Sequence, residues 1–170
     1  MKKTGIFYGS SSGTTQDIAQ RIATQLGIGP ADIYNVGDAP VGAVEPYELL
    51  ILGTSTWGAG DLQDDWESFL PQLKKANLAG KVIALFGAGD SSSFSDTFCD
   101  GIGVIYKELK AAGGVFAGAV PVDGYTFDSS EAVIDGAFVG LPLDQENESE
   151  LTDARISQWI EQLKAEGLAV

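Results

Sequence analysis

The amino-acid sequence predicts an α/β fold, a doubly wound parallel sheet flanked by helices. Short apolar segments alternate along the chain with longer segments whose apolar residues recur at helical spacing, which is typical of strands followed by crossover helices. The segment Leu49-Leu50-Ile51-Leu52 is continuously apolar, as expected for a strand buried on both faces of a sheet. The 170 residues show no linker and no internal repeat, so we expect a single domain spanning residues 1–170.

Five short, mainly apolar segments are predicted to be strands. They span residues 5–8, 32–35, 49–53, 82–86 and 115–120. Four longer segments carry apolar residues three and four positions apart and are predicted to be helices. They span residues 14–26, 66–75, 99–112 and 152–165. In the first helix, for example, Ile18, Ile22 and Leu26 lie on one face.

Residues 121–147 interrupt this alternation. The segment is rich in Gly, Pro, Asp and aromatic residues, and its apolar residues follow no clean period. A loop of this length without function or structure of its own is unusual in a compact domain. We therefore predict an insertion that divides the fifth strand and contains short strands around residues 138–141. A second small domain is the alternative, which the length of the chain disfavours.

The charge and the missing residue types exclude several classes of function. The chain has 24 Asp and Glu residues against 10 Lys and Arg, a net charge of −14, which disfavours nucleic acid and anionic membranes and favours basic partners. The chain has no histidine, which excludes Ser-His and Cys-His nucleophilic systems and histidine metal sites. The single cysteine, Cys99, excludes an intramolecular disulfide and a cysteine-built metal site, so we expect no bound metal.

The distribution of apolar residues predicts a cytoplasmic protein. No apolar run approaches the roughly 20 residues of a membrane span. The start Met1-Lys2-Lys3 is not followed by the apolar segment and small-residue cleavage site of an export signal.

A loop rich in hydroxyl groups joins the first strand to the first helix. Its residues are Ser10, Ser11, Ser12, Gly13, Thr14 and Thr15. Backbone N–H groups at a helix start lack intrahelical partners, and the helix dipole favours an anion there. Neither Lys nor Arg occurs between Lys3 and Arg21, and the lysine-containing loop of nucleoside-triphosphate sites is absent. These features favour a site for a single terminal phosphate; a cluster of helix-capping hydroxyls is the alternative.

Two further strands are followed by loops that suit a flat aromatic ligand. Residues 54–61 follow the third strand and contain Trp57, and residues 87–96 follow the fourth strand and contain Phe94. Both loops are otherwise rich in glycine and small polar residues. Open α/β sheets bind ligands beyond the carboxyl ends of their strands. Two aromatic side chains among such turns can stack on both faces of a ring while polar groups bind its edge.

These three loops together resemble flavodoxin, and the resemblance covers essentially the whole chain. The motifs that carry it are Ser-Ser-Ser-Gly-Thr-Thr at residues 10–15, Ser-Thr-Trp-Gly-Ala-Gly at 55–60 and Gly-Ala-Gly-Asp at 87–90. Residues 136–144 resemble the insertion of long-chain flavodoxins. The resemblance implies a five-stranded parallel sheet of order 2-1-3-4-5 with FMN as the cofactor. It also implies a low-potential one-electron carrier that uses the semiquinone/hydroquinone couple and has no catalytic residues.

The resemblance further implies which residues hold the FMN. The phosphate would lie in the loop at residues 10–15, with Trp57 covering one face of the isoalloxazine ring and Phe94 the other. The other implied contacts come from the two later loops: Ser55, Thr56, Gly58, Ala59, Gly60, Ala88, Gly89, Asp90, Asp96 and Phe98. The family usually has tyrosine at the position of Phe94 and often threonine at that of Ser10. The ring stack is therefore retained here without the phenol hydroxyl.

The implied partners are redox proteins, namely reductases and ferredoxin-dependent enzymes, that present a basic face to the acidic rim of the flavin site. We expect a monomer that binds neither nucleic acid nor membranes. The enzyme alternative is a flavodoxin-like FMN-dependent quinone or azo reductase with two-electron chemistry, which NAD(P)H oxidation by the isolated protein would reveal. A signalling receiver domain shares the sheet order but needs paired acids after the first strand, where this chain has Ser and Thr.

Overall fold

Strands and helices alternate along most of the chain. The structure is a computed structural model in which residues 2–57 and 60–168 are described. Its strands are β1 (Lys2–Tyr8), β2 (Ile33–Asn35), β3 (Tyr47–Trp57), β4 (Asp61–Leu62), β5 (Val82–Ala88), β6 (Phe116–Ala117), β7 (Val120–Pro121), β8 (Val133–Ile134), β9 (Ala137–Phe138) and β10 (Leu141–Leu143). Its α-helices are α1 (Thr14–Leu26), α2 (Asp64–Leu73), α3 (Asp100–Ala111) and α4 (Thr152–Ala165), and 3₁₀ turns cover Pro30–Asp32, Val41–Val44 and Ser149–Leu151. Within the described ranges, no helix combines the length and the apolar character needed to cross a membrane.

The main sheet has the order β2-β1-β3-β5-β10, and its neighbouring strands run parallel. At its centre, Ile51 of β3 pairs with Ile6 of β1 on one side and with Ala84 of β5 on the other. Two strands share the position beyond β5, because β6 pairs with its first half at Phe116 and β10 with its second half at Leu141. The predicted order 2-1-3-4-5 and the predicted division of the fifth strand are therefore confirmed.

Two apolar cores lie on opposite faces of the main sheet. Side chains alternate between them along each strand, so that in β1 Phe7 enters one core and Ile6 the other. Helices α2 and α3 complete the first core through residues such as Trp66 and Ile102, and α1 and α4 complete the second. The helical layers on both faces explain why β3 is continuously apolar at residues 49–52.

The insertion forms a small antiparallel sheet of its own, in the order β7-β9-β8. A two-residue turn at Asp135 and Gly136 joins β8 to β9, and both residues have the positive φ (54° and 83°) that this kind of tight hairpin requires. Phe138 of β9 is fully buried and contacts Phe98 edge-on, with ring centroids 6.1 Å apart. Apolar packing thus attaches the inserted sheet to the core beside α3.

The predicted bounds of α1 and α4 are confirmed, whereas other predicted bounds move. Helix α2 begins at Asp64, because the Gln63 side chain accepts a hydrogen bond from the N–H of Asp65 at 3.1 Å and caps the helix there. The predicted strand at 115–120 was too long.

That strand ends at Ala117, because Gly118 has a φ of 86° and its carbonyl accepts a hydrogen bond from Trp159 Nε1 at 2.9 Å. The predicted short strands around residues 138–141 belong to two different sheets. Phe138 ends β9 of the inserted sheet, whereas Leu141 begins β10 and pairs with β5 in the main sheet. The chain therefore leaves the main sheet after residue 117 and returns at residue 141, instead of at 121 and 147.

A buried lysine ties the start of β5 to the start of β3. Lys81 is almost fully buried, and its Nζ donates to the carbonyl oxygens of Val44 (3.1 Å), Glu45 (2.7 Å) and Tyr47 (2.6 Å). Burial lowers the pKa of Lys81, and the Glu45 carboxylate partly opposes that shift. The ammonium group thus satisfies carbonyl groups at the end of the 3₁₀ turn Val41–Val44.

We predict that Lys81→Met lowers the free energy of unfolding by about 2 kcal/mol, because it removes the donor from three hydrogen-bonded carbonyl groups. Urea denaturation measures the difference. Lys75→Met, at an exposed lysine just after α2, is the matched control and should change the free energy by less than about 0.5 kcal/mol. Equal denaturation midpoints for wild type and the Lys81 variant would contradict this role.

Candidate functional site

An open cleft lies at the carboxyl edge of the main sheet, where the loops after β1, β3, β5 and β10 meet. Its cavity volume is about 230 Å³. Residues from all four loops line it: Ser12, Thr14, Ser55, Thr56, Ala88, Gly89, Asp90, Phe94, Thr97, Cys99, Gln145 and Glu146. Those from Ser12 to Phe94 are predicted site residues, so the structure brings members of all three predicted loops together.

The loop before α1 has the features of an anion site. Gly13 has a φ of 93°, which favours glycine, and its N–H donates to the Ser10 hydroxyl at 3.0 Å. Gln63 Nε2 donates to Ser11 Oγ at 3.1 Å and fixes the loop against the start of α2. The first N–H groups of α1 follow, and such groups have no partner within their helix. Thr15 Oγ1 is buried and makes no hydrogen bond in the described part of the chain, so it is suited to donate to a bound oxyanion.

The loop after β5 presents an aromatic ring on a tightly hydrogen-bonded turn. The Asp90 side chain accepts the N–H groups of Ser92 (3.1 Å) and Ser93 (2.9 Å), and its backbone carbonyl accepts that of Phe94 (3.0 Å). The hydrogen bond from Ser93, together with one from Asn147, holds the pKa of Asp90 below its usual value. Phe94 is 45 % exposed at the cleft, so its ring is available for stacking.

The loop after β3 is closed by the antiparallel pairing of β4 with the end of β3. Thr56 Oγ1 accepts a hydrogen bond from the Gly101 N–H at 2.9 Å, which fixes the strand end against α3. The predicted contacts at Gly58 and Ala59, and the side chain of Trp57, lie outside the described residues. Stacking of Trp57 on a ring therefore stays a prediction.

Some predicted site residues do not line the cleft. Ser10, Ser11, Gly13 and Thr15 form the loop beside it, and Gly60 lies at the end of the loop after β3. Asp96 is exposed outside the cleft. Phe98 is 1 % exposed and packs against Phe127 and Phe138 in the core, because its apolar ring is more stable there than at a polar edge. Phe98 thus supports the loop from the core.

Four residues that line the cleft were not predicted from the sequence: Thr97, Cys99, Gln145 and Glu146. Gln145 and Glu146 directly follow β10, so the strand-end rule would have found them if residues 141–143 had been recognised as a strand. Thr97 Oγ1 is buried and, like that of Thr15, has no hydrogen-bond partner in the described ranges; nothing in the sequence marks it. Burial raises the pKa of Cys99, so the thiol is protonated at neutral pH.

A buried carboxylate lies between the loop after β3 and the insertion. Asp100 accepts the Glu131 N–H at 2.7 Å through Oδ1. Its Oδ2 lies so close to Gly60 that a Cβ at that glycine would be 2.5 Å away, and Gly60 has a φ of 96°. Burial raises the pKa of Asp100, and the hydrogen bond from Glu131 and the charge of Lys107 partly oppose that shift.

Comparison with known proteins explains this arrangement. The family model described as Flavodoxin matches residues 6–159, and Flavodoxin 1 of Azotobacter vinelandii is 45% identical over 172 residues, which cover 99% of each chain. The chain belongs to the flavodoxin family. Flavodoxin of Helicobacter pylori is 45% identical over 164 residues, covering 96% of this chain and 98% of its own. The crystal structure of Fusobacterium nucleatum flavodoxin bound to flavin mononucleotide has a TM-score of 0.88 at 35% identity, over 98% of this chain and 99% of that one. The predicted long-chain flavodoxin is confirmed.

We predict that Asp100→Asn stabilises the protein relative to wild type, by an amount that grows as the pH rises from the ordinary range of an aspartate pKa and levels off above the raised pKa of Asp100. The pKa of Asp100 is raised in the folded protein, so ionisation of this group opposes folding as the pH rises through that pKa. Asparagine keeps the acceptor for the Glu131 N–H and does not ionise.

Urea denaturation of wild type and variant at several pH values measures this difference. Asp123→Asn, at an exposed position of the insertion, is the control for the Asp-to-Asn substitution itself. A difference that shrinks as the pH rises would contradict the assignment.

Proposed function

We propose that this chain binds FMN with the phosphate in the loop at residues 10–15 and the ring in the cleft, and that it carries single electrons at low potential between redox proteins. The chain is a flavodoxin, and flavodoxins are FMN-binding electron-transfer proteins rather than stand-alone catalysts. When bound, FMN supplies the redox chemistry, because its ring can accept and release one electron at a time. The chain's own residues bind the cofactor, orient it and set its electrostatic surroundings.

One observation supports this placement most strongly. In the described part of the chain, the buried side-chain oxygens without a hydrogen-bond partner are those of Thr15 and Thr97, and both belong to the site. Thr15 lies at the phosphate loop and Thr97 lines the cleft. An unpartnered buried hydroxyl costs about 1–3 kcal/mol. Two such groups at neighbouring parts of one site fit a ligand with an oxyanion at one end and a polar ring at the other, which is the form of FMN.

The proposed roles follow the loops. The loop at residues 10–15 binds the phosphate through N–H and hydroxyl donors, without a cation of its own. Phe94 covers one face of the ring, and Trp57 is proposed for the other. Gly89 and Asp90 lie at the edge of the ring. The remaining proposed contacts are those of Ser55, Thr56, Gly58, Ala59, Gly60 and Ala88. Asp96 and Phe98 do not line the cleft and are proposed only as its neighbours.

The charges around the cleft favour a low reduction potential. Asp90 and Glu146 line the cleft, and among the described residues no Lys or Arg does. Carboxylates within about one Debye length, roughly 8 Å at physiological salt, disfavour additional negative charge on the ring. The same charges form an acidic rim for docking. We propose partners with basic faces, and a monomer, because a carrier that docks through one edge needs that edge free.

We predict that Thr15→Val weakens FMN binding at least about tenfold and leaves riboflavin binding unchanged, because the lost hydroxyl donates to the phosphate that riboflavin lacks. A hydrogen bond to a charged group contributes about 1.5–3 kcal/mol, which corresponds to at least about tenfold in affinity. Titration of the apoprotein with each flavin, followed by flavin fluorescence, measures both dissociation constants.

Thr97→Val is the matched variant, because it removes the other unpartnered hydroxyl. It should weaken the binding of FMN and of riboflavin by the same factor. If Thr15→Val weakened the binding of FMN and of riboflavin by the same factor, that result would contradict the placement of the phosphate. A wild-type protein that binds neither flavin would contradict the proposed function.

We predict that electron transfer to a reductase with a basic docking face slows about tenfold as salt rises from about 50 to about 300 mM, because the attraction between the two faces is screened. Stopped-flow absorbance measures the rate of electron transfer. A small uncharged quinone replaces the reductase in the control, and the rate of electron transfer to it should change little with salt. Glu146→Gln beside the cleft should lower the low-salt rate, whereas Glu48→Gln, exposed near the opposite end of β3, should not. A rate that rises with salt would contradict an acidic docking face.

A further inference from the structure

The turn after β10 contains a completely buried carboxylate. Asp144 is 0 % exposed and accepts hydrogen bonds from the Ser91 N–H (3.2 Å), the Ser91 hydroxyl and the Asn147 N–H (3.0 Å). Asn147 Nδ2 contacts both oxygens of this carboxylate at 3.0 Å. A buried carboxylate needs such donors, because leaving it without them is costly. The turn at residues 144–147 and Ser91 are therefore held together by Asp144.

The Asn147 amide also reaches the loop that carries Phe94. Its Nδ2 donates to Asp90 Oδ1 at 2.9 Å, the oxygen that also accepts the N–H groups of Ser92 and Ser93. The backbone carbonyl of Asp90 in turn accepts the Phe94 N–H. A continuous set of hydrogen bonds thus runs from the buried Asp144, through one amide group, to the residue that carries the exposed ring.

We propose that Asn147 is a positioning residue: by joining Asp90 to Asp144, it holds the Phe94 ring where it covers the flavin. This inference rests on the proposed function, which assigns Phe94 to the flavin ring. Asn147 does not line the cleft itself, so it acts through the loop. The same turn carries Gln145 and Glu146, which do line the cleft. The Asn147 amide therefore holds both the loop after β5 and the turn after β10 in place.

The position of Phe94 depends on these hydrogen bonds because apolar packing contributes little to it. The side chain is 45 % exposed, and the neighbouring residues 91–93 are serines. Aromatic rings stack favourably only over a narrow range of offsets and separations. Without Asn147, Ser91 stays bound to Asp144, but Asp90 loses its attachment to the turn after β10. Stacking of Phe94 on the flavin is therefore weakened even though Phe94 is unchanged.

The test titrates wild-type, Asn147→Ala, Phe94→Ala and double-variant apoproteins with riboflavin and with FMN. Asn147→Ala should weaken the binding of riboflavin and of FMN by the same factor, about tenfold, because the phosphate loop is not involved. In the Phe94→Ala background, Asn147→Ala should cause no further loss, because two changes that act through one contact are not additive. Visible circular dichroism of the bound flavin should change in Asn147→Ala in the same sense as in Phe94→Ala.

Two control variants separate positioning from stability. Asn77→Ala alters another exposed asparagine, which accepts the Ala79 N–H at 3.0 Å before β5, and should leave both affinities unchanged. Ser91→Ala removes the hydroxyl that donates to Asp144 but keeps the hydrogen bond from the Ser91 N–H and the contact between Asn147 and Asp90. It should therefore lower the free energy of unfolding in urea. It should weaken flavin binding less than threefold, which corresponds to about 0.6 kcal/mol.

The inference would be overturned if Asn147→Ala weakened flavin binding by the same factor in wild type and in the Phe94→Ala background. It would also be overturned if Asn147→Ala did not weaken flavin binding at all. Both results leave the proposed function standing if wild-type protein binds FMN. Wild-type protein that binds neither flavin would overturn the proposed function, and this inference with it.

Discussion

The parallel register of β1, β3 and β5 is the constraint on which the rest of the molecule depends. Ile51 pairs with Ile6 and with Ala84, and alternate side chains along each strand enter opposite cores. A shift of one residue would move every side chain of a strand into the wrong core. The register therefore fixes where β1, β3 and β5 end, and three of the four loops of the site begin at those ends. Apolar packing in the middle of the sheet thus determines where the polar loops of the site lie at its carboxyl edge.

The site combines loops that are held by hydrogen bonds with buried hydroxyl groups that can bind a ligand. Asp144 is buried and fully hydrogen-bonded, and it fixes the turn after β10 to the loop after β5. Thr15 and Thr97, by contrast, keep buried hydroxyl groups that find no partner in the described ranges. Hydrogen bonds within the protein thus hold the loops in place, while the hydroxyl groups of Thr15 and Thr97 remain able to donate to a cofactor. The insertion contributes to this arrangement because the chain returns from it into β10, directly before the anchoring turn.

Most of the fold and three of the four site loops could be predicted from the sequence, and the exceptions have physical causes. A strand buried on both faces gives a continuous apolar run, which is a strong signal, so β3 could be predicted from residues 49–52. The three residues of β10, Leu141-Pro142-Leu143, are too few to show a period, and the loop that follows them was missed for that reason. Phe98 was placed near the cleft by the family resemblance alone, and the burial of its ring depends on aromatic neighbours that are distant in sequence. The unpaired hydroxyl of Thr97 depends on its three-dimensional surroundings and leaves no mark in the sequence.

Stepwise anaerobic reduction of the FMN-loaded protein, followed by absorbance at controlled potential, tests one-electron transfer most directly. An acidic cleft that no Lys or Arg of the described residues lines should separate the two electrons into two one-electron steps, the second at a much lower potential than the first. Reduction in a single two-electron step would contradict a one-electron carrier and would favour two-electron reductase chemistry at the same cleft.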